Sequence, residues 1–318
     1  MNSSTITPDT PFSLQAARSF GFGPHTGRPE PDGAVMRMAF VTDDLRHQVA
    51  VRLRQDASGD IHAQFHGDAR PADADVEAQV RRILSLDEPA TPWLAVGVRD
   101  PVIGRLQATF PGLRPVLFHS PYEAAAWSIL ALRRHRSQAA AIRTRLAQAY
   151  GASFDIDGHQ VAAFPLPARL LEITDFQGLD ATRIGRLHAV ARAALSGRLD
   201  PARLRAMDAG DALREIQAIP GLGPTYAQLV LLRSTGATDL MTYHEQRIPY
   251  YAAHFCRTPR SPVTPGELAD LSAGWRPFRT WASVLLRVAG DRAHLPTADD
   301  AKPGTLPGRE AAGARRRG

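Results

Sequence analysis

The sequence predicts an α+β protein, with a small antiparallel β-rich unit ahead of a larger, all-helical one. Three observations carry this. Segments between residues 34 and 67 alternate apolar and polar residues with a period of two. From Pro121 to about Gly290 the chain reads as helix after helix. Two Pro-rich connectors, "DEPATPW" and "FPGLRPVLFHSP", lie between the two regions. The expected division is an irregular N-terminal segment (1–33), a β-rich domain (34–118), a helical domain (119–290) and a disordered basic tail (291–318).

Residues 1–33 are rich in Pro, Gly and Ser and are expected to drape over the surface. "AVMRMAFV", "HQVAVRLRQ" and "DIHAQFHG" then read as strands, because they alternate and carry β-branched residues, with "TDDLR" and "DASG" as breaks. "ADVEAQVRRILSL" follows as an amphipathic helix with Val76, Val80, Ile83 and Leu84 on one face. Further helices are expected at "SPYEAAAWSILALRR", "SQAAAIRTRLAQAYG", "PLPARLLEI", "DATRIGRLHAVARAALSG", "DALREIQAI", "PTYAQLVLLRSTG", "EQRIPYYAAHF" and "TWASVLLRVAG". The tail combines Pro, Gly and Ala with "ARRRG", a composition that does not bury a core.

A chain of 318 residues can bury two cores. It has no apolar run near the roughly 18 residues that a membrane span needs. Its start lacks a basic segment followed by an apolar core, so no secretory signal is expected. Cys256 is the only cysteine, which excludes an internal disulfide, a cysteine-rich zinc site and a four-cysteine iron–sulfur cluster. A reducing, cytoplasmic setting fits, and neither a metal nor another cofactor is expected. A net charge of +6 suits an anionic partner. Nearly every base is Arg, however, with Lys302 the one lysine, so the balance also fits the codon bias of a GC-rich genome.

"ALREIQAIPGLGPTYAQLVLL" holds the most informative local pattern. One helix puts Leu213 and Ile216 inward and stops at Pro220. Gly221 and Gly223 bracket Leu222 in a tight turn, and Pro224 opens a second helix where its missing N–H costs nothing. Glycines let the backbone approach a ligand closely, and the turn plus the second helix's N-terminus form an anion site. The pattern fits a sequence-independent grip on a DNA phosphate, although P-G-x-G between helices also occurs in plain turns.

After the hairpin come an apolar helix and then "TGATDLMTYHEQR", which places a carboxylate about two dozen residues on. With "VEAQVRRILSLD", "FPGLRPV", "SPYEAAAWSIL", "FPLPARLLEI" and "GWRPFRTWASVLLR" in this order, the chain resembles the helix–hairpin–helix DNA glycosylase superfamily. The likeness is to its 3-methyladenine glycosylase II branch, over roughly Ala34 to Arg292. The resemblance implies a TATA-binding-protein-like N-terminal domain packed on a helical catalytic unit. It further implies base excision repair by a cytoplasmic, nucleoid-associated bacterial monomer acting on double-stranded DNA that contains a damaged base. In that family the damaged nucleotide is flipped into a pocket beside the hairpin, and a carboxylate stabilises the developing oxocarbenium sugar. The family's catalytic Asp falls at Glu245, one methylene longer.

"TYHE" also fits a capping box, with Thr242 as N-cap and Glu245 three residues on. Pro249 weighs against it, since it would then be the seventh helical residue. A helix starting at His244 or Glu245 would instead put the carboxylate beside the positive end of the helix dipole. Cap and catalyst both stay open at this point. Arg247 is expected either to hold a phosphate or to pair with Glu245, which would keep the carboxylate ionised.

The resemblance also implies a phosphate grip by Gly221, Leu222, Gly223 and Thr225, and a DNA-inserting wedge at Arg133 beside Arg134, where a solvated basic face is the alternative. Thr225 stands where strand-cleaving members carry lysine, and Lys302 lies in the tail, so lysine-dependent lyase chemistry is not expected. The matching pocket positions are Thr225, Leu229, Gln246 and Arg287, where the alkylpurine enzymes carry stacking aromatics. Tyr226, Tyr243 and Trp281 are expected near them, with core the commoner fate of an aromatic at helical spacing, and His244 beside them as a supporting or solvent-facing group. The competing class is a catalytically impaired module that recognises damaged or distorted DNA.

Overall fold

The chain is described by a computed structural model over residues 2–19, 35–67, 72–241 and 245–296. It opens with strand β1 (Asn2–Ile6) and helix α1 (Leu14–Ser19), followed by β2 (Val35–Val41), β3 (Gln48–Gln55) and β4 (Ile61–His66). The four strands form one antiparallel sheet in the order β1-β4-β3-β2. Alternation sets the register: Met36, Met38 and Phe40 of β2 and Val49, Val51 and Leu53 of β3 all face one core. The N-terminal segment is thus not irregular throughout. Ile6 pairs with Ile61, and Ile6, Leu14 and Ala17 are fully buried. "NSSTI" carries too little apolar signal to read as a strand, and the open edge of β4 supplies what propensity does not.

Helices α2 (Asp73–Ile83), α3 (Thr91–Arg99) and α4 (Pro101–Thr109) cover the inner face of the sheet. α5 (Pro121–Ala131) and α6 (Arg136–Tyr150) follow. The run of helices is then broken by a β-hairpin, β5 (Ser153–Ile156) and β6 (His159–Ala162). Its tip, Asp157-Gly158, has φ of 54° and 77°, the conformation that tight hairpin turns require. Ile156 and Ala163 cover Ala39 and Ala50 on the outer face of the sheet. Asp157 accepts from Arg52 (2.6 Å) and Arg37 (3.1 Å).

The remaining elements are α7 (Pro167–Leu171), α8 (Ala181–Leu195), α9 (Pro201–Ala206), α10 (Ala209–Gln217), α11 (Pro224–Ser234), α12 (Ile248–Cys256), α13 (Pro265–Ala273) and α14 (Arg279–Arg292). Two cores result. One joins the sheet and α1–α4 to α12–α14, so the C-terminal helices pack with the β-rich part across the division expected near residue 119. The other gathers α5–α8 around α9–α11. Buried guanidinium groups join the two. Arg82 of α2 pairs with Asp43 (2.7 Å) and donates to the Ser234 carbonyl at the end of α11, while Arg233 donates to the Val116 carbonyl. Most of the expected basic tail lies outside the described residues, and α14 extends to Arg292.

Candidate active site

The α10–α11 turn is held by one apolar anchor and one glycine with no substitute. Leu222 is buried in the second core, and its N–H donates to the Ile219 carbonyl (3.0 Å). Gly221 has φ +94°, and a Cβ there would lie 2.7 Å from Arg186 Cδ and 2.8 Å from Ile129 Cδ1. Gly223 differs on both counts. Its φ is −71°, it is exposed, and a Cβ there would meet nothing within 4 Å. It is the N-cap of α11, no side chain caps it, and Pro224 follows. The helix's first N–H groups, with no acceptor of their own in the helix, are therefore accessible beside an exposed Thr225.

A groove of about 660 Å³ runs along this turn, lined by the hairpin together with Arg133, Arg183 and Arg186. Arg133 is exposed in the loop between α5 and α6, at φ +50°. Arg134 does not line the groove. It donates to the Gly178 carbonyl, while Arg183 donates to the Leu132 carbonyl (2.7 Å), so both brace the loop that presents Arg133.

On the other side of α11 lies a pocket of about 480 Å³. α11 contributes Thr225, Tyr226, Gln228, Leu229, Leu232 and Arg233. The start of α12 contributes Glu245, Gln246, Arg247 and Ile248, and α14 contributes Thr280, Ser283, Val284 and Arg287. Glu245 precedes α12, whose N-cap is Arg247 and whose second residue is Pro249. A helix that begins at Ile248 excludes the capping box, and it also puts Glu245 outside the first turn rather than at its mouth.

Arg247, not the helix dipole, governs the carboxylate. Its Nε and Nη2 donate to the two oxygens of Glu245 at 2.8 and 3.1 Å, and its Nη1 lies 3.2 Å from Asp291 at the end of α14. Burial raises the Glu245 pKa. The Arg247 hydrogen bonds and charge, with the Arg287 charge, outweigh it and hold the carboxyl below its ordinary value. Tyr251 donates to Asp291 (2.8 Å), and burial first, then this contact, pushes its phenol up to about 12. Arg287 is 7% exposed, lies 3.6 Å from Asp291, and is pushed down to about 10 by burial and then by the Arg247 charge. Burial, and then the Arg287 charge, also lowers the pKa of Arg233.

Several expectations are thereby redistributed. Leu229, Gln246 and Thr225 line the pocket. Trp281 does not: it is 3% exposed in the first core, 5.8 Å from Trp93 and 5.1 Å from Phe278 between ring centres. An aromatic on an otherwise apolar helix face goes to the largest core available. Tyr226 lines the pocket instead. Tyr243 and His244 lie outside the described residues. Arg233 and Asp291 went unanticipated. The signal for Arg233 was a charge ending the apolar run "QLVLL", and for Asp291 an acid four residues after Arg287 on one helix. Among the described residues, no three His, Cys, Asp or Glu side chains gather as a metal site, and no helix is long and apolar enough to cross a membrane.

No family model matches the chain. Over 226 residues it is 28% identical to DNA-3-methyladenine glycosylase 2 of Escherichia coli, covering 70% of this chain and 74% of that protein. Over 231 residues it is 24% identical to a DNA-3-methyladenine glycosylase of Bacillus subtilis, covering 70% and 76%. Among solved structures it is similar to a 3-methyladenine DNA-glycosylase from Archaeoglobus fulgidus. The TM-score is 0.73 and the identity 18%, over 92% of this chain and 99% of that one. With its sheet packed on helices and its Gly-Leu-Gly turn opening α11, the chain resembles the helix–hairpin–helix DNA glycosylases in sequence and fold.

Proposed function

We propose that this protein is a DNA glycosylase of base excision repair that hydrolyses the N-glycosidic bond of a flipped-out damaged base, an alkylated one by analogy with its relatives' names. The observation that carries this reading is Glu245, a carboxylate kept ionised by Arg247 in the wall of a base-sized pocket, across α11 from the hairpin groove. Gly221, Leu222, Gly223 and Thr225 grip a phosphate next to the lesion, and Arg133 enters the space left by the flipped nucleotide. The C1′–N bond breaks with its electron pair going to the base, and the sugar becomes oxocarbenium-like. Glu245 stabilises that positive charge, water adds at C1′, and the proton it loses passes through the carboxylate to solvent.

Thr225 offers no amine for a Schiff base, so the product is an abasic site with the strand intact. The protein works as a monomer on double-stranded DNA in the cytoplasm, its β-rich part buttressing the helical one. A second reading, a binding module that recognises lesions without cutting, is favoured by one contact: Arg247 engages both oxygens of Glu245. Incubation with alkylated duplex DNA separates the two. Base release that is lost in Glu245→Gln supports catalysis, whereas lesion-dependent binding without release supports the module.

A further inference from the structure

The pocket's charge is opposite to what an alkylated purine cation calls for. Among the described lining residues Arg233, Arg247 and Arg287 face the carboxylate of Glu245, which Arg247 already holds, and Asp291 beside Arg247 and Arg287 still leaves the positive charge in excess. Arg233 and Arg287 are buried, and guanidinium groups stay protonated at neutral pH. Tyr226 is the one aromatic ring among the described lining residues.

Resting on the glycosylase reading above, we infer that the pocket selects a neutral damaged base that presents carbonyl or ring-nitrogen acceptors, over an N-alkylpurine cation, with Arg287 and Arg233 as the specificity-determining residues. Desolvation inside the pocket strengthens the repulsion between a cationic base and these guanidiniums. The same groups suit a neutral base in two ways. Their N–H groups hydrogen-bond its acceptor atoms in the bound state. As the C1′–N bond breaks, the electron pair moves onto the base, and an adjacent guanidinium stabilises the negative charge that develops there. The base then takes up a proton from solvent, water supplies the hydroxyl at C1′, and the hydrolysis balances. A cationic base needs no such help, because it leaves neutral. The pocket is therefore equipped for the harder leaving group.

The test reads affinity apart from turnover. Duplexes whose target nucleotide carries a 2′-fluorine resist cleavage, so dissociation constants can be measured for hypoxanthine (neutral, with a carbonyl) and 7-methylguanine (cationic) against undamaged guanine. The wild-type chain is expected to bind the hypoxanthine duplex at least tenfold more tightly than the 7-methylguanine duplex. Arg287→Gln should shrink that ratio about tenfold, and Arg287→Lys, which keeps the charge, should largely restore it. Equal or tighter binding of the cationic base, or no dependence on lesion, overturns the inference whatever the variants do. Parallel assays on cleavable DNA keep the two readings apart. A retained preference without base release defeats the glycosylase reading and leaves the pocket's selectivity standing. Release mainly of 7-methylguanine does the reverse.

Discussion

Adding one methyl group at each hairpin glycine should produce two different failures. At Gly221 the Cβ must coexist with Ile129 Cδ1 at 2.8 Å and Arg186 Cδ at 2.7 Å, on a backbone with φ +94°. Arg186 can swing away, but Ile129 is fully buried in α5 and cannot. Strain at positive φ costs about 1–3 kcal/mol and overpacking a core about 1–3 kcal/mol more. Gly221→Ala should therefore lose about 2–6 kcal/mol, which for a chain of this size lowers the melting temperature by roughly 3–9 °C. At Gly223 the φ is ordinary and the space is open. The weaker N-cap and the stiffer unfolded chain nearly cancel, so stability should stay within about 0.5 kcal/mol. A phosphate bound to these N–H groups would meet the new methyl, and losing one charge-assisted hydrogen bond of about 1.5–3 kcal/mol weakens DNA binding roughly 10- to 100-fold. Melting curves and fluorescence-anisotropy titrations on one abasic duplex give both numbers. If Gly223→Ala binds like wild type, the turn does not hold a phosphate, and if Gly221→Ala melts like wild type, the packing argument fails.

Three further outcomes follow from buried charges and close contacts. In the proposed mechanism Glu245 acts ionised, and Arg247 holds its pKa down against burial, so activity should fail only as the pH drops through a value below the ordinary carboxylate range. In Arg247→Met burial acts alone, and the acid limb of kcat/KM should move to higher pH; a limb that stays put would count against Arg247 as the controlling contact. Glu123, 3% exposed, accepts from Arg143 (2.7 Å), His119 (3.2 Å) and the Val41 N–H (3.1 Å). Burial raises its pKa, and His119 and then Arg143 bring it to about 2, against 4.5 for the free side chain. The depressed value contributes about 3 kcal/mol of stability above pH 4.5, lost as the pH falls toward about 2. Denaturant midpoints of wild type and Glu123→Gln should accordingly converge over that window, and a constant gap would refute the linkage. A Cβ at Gly290 would lie 2.4 Å from the Tyr251 ring, so Gly290→Ala should displace Tyr251 from Asp291 and cut base release more than tenfold. Unchanged turnover would show that this ring does not position Asp291 and Arg247.

The features legible in the sequence were those written into the backbone. Alternation in three strands, and Gly221 and Gly223 around Leu222, are local requirements that few other residues satisfy. Pro249 similarly told against a capping box at Thr242, and the helix does begin at Ile248. What remained hidden depends on partners distant in sequence. β1 is a strand because β4 has an open edge, and nothing within "NSSTI" announces it. The β5–β6 hairpin did carry a signal, Asp157-Gly158, but it lay between strong helical patterns. Whether a ring enters a core or a pocket is likewise decided by the opposite wall. Trp281 and Tyr226 both sit in the first turn of a core-forming helix, yet one meets Trp93 and the other lines the pocket beside the α12 segment.

The location of the pocket explains why so many guanidinium groups gather around it. Its α11 wall belongs to the second core, whereas its α12 and α14 walls belong to the first, so its shape depends on how the two cores are joined. Apolar packing alone tolerates small slips between helices, but directional, charge-assisted hydrogen bonds do not. The last turn of α11 is held by several: Arg82 to the Ser234 carbonyl, Arg233 to the Val116 carbonyl, and the Phe118 N–H to the Arg233 carbonyl at 2.7 Å. Across the pocket, Arg247 ties Glu245 to Asp291 on α14. Arg233 thus both joins the cores and charges the pocket, so the register between the cores and the charge on the pocket wall are linked through this side chain. An aspartate at residue 245 would be about 1.5 Å shorter and would sit farther from Arg247. The glutamate's extra methylene is what brings its carboxylate to the guanidinium that holds it ionised. Its length therefore belongs to this arginine-lined arrangement, and a return to the shorter acid would not by itself improve the site.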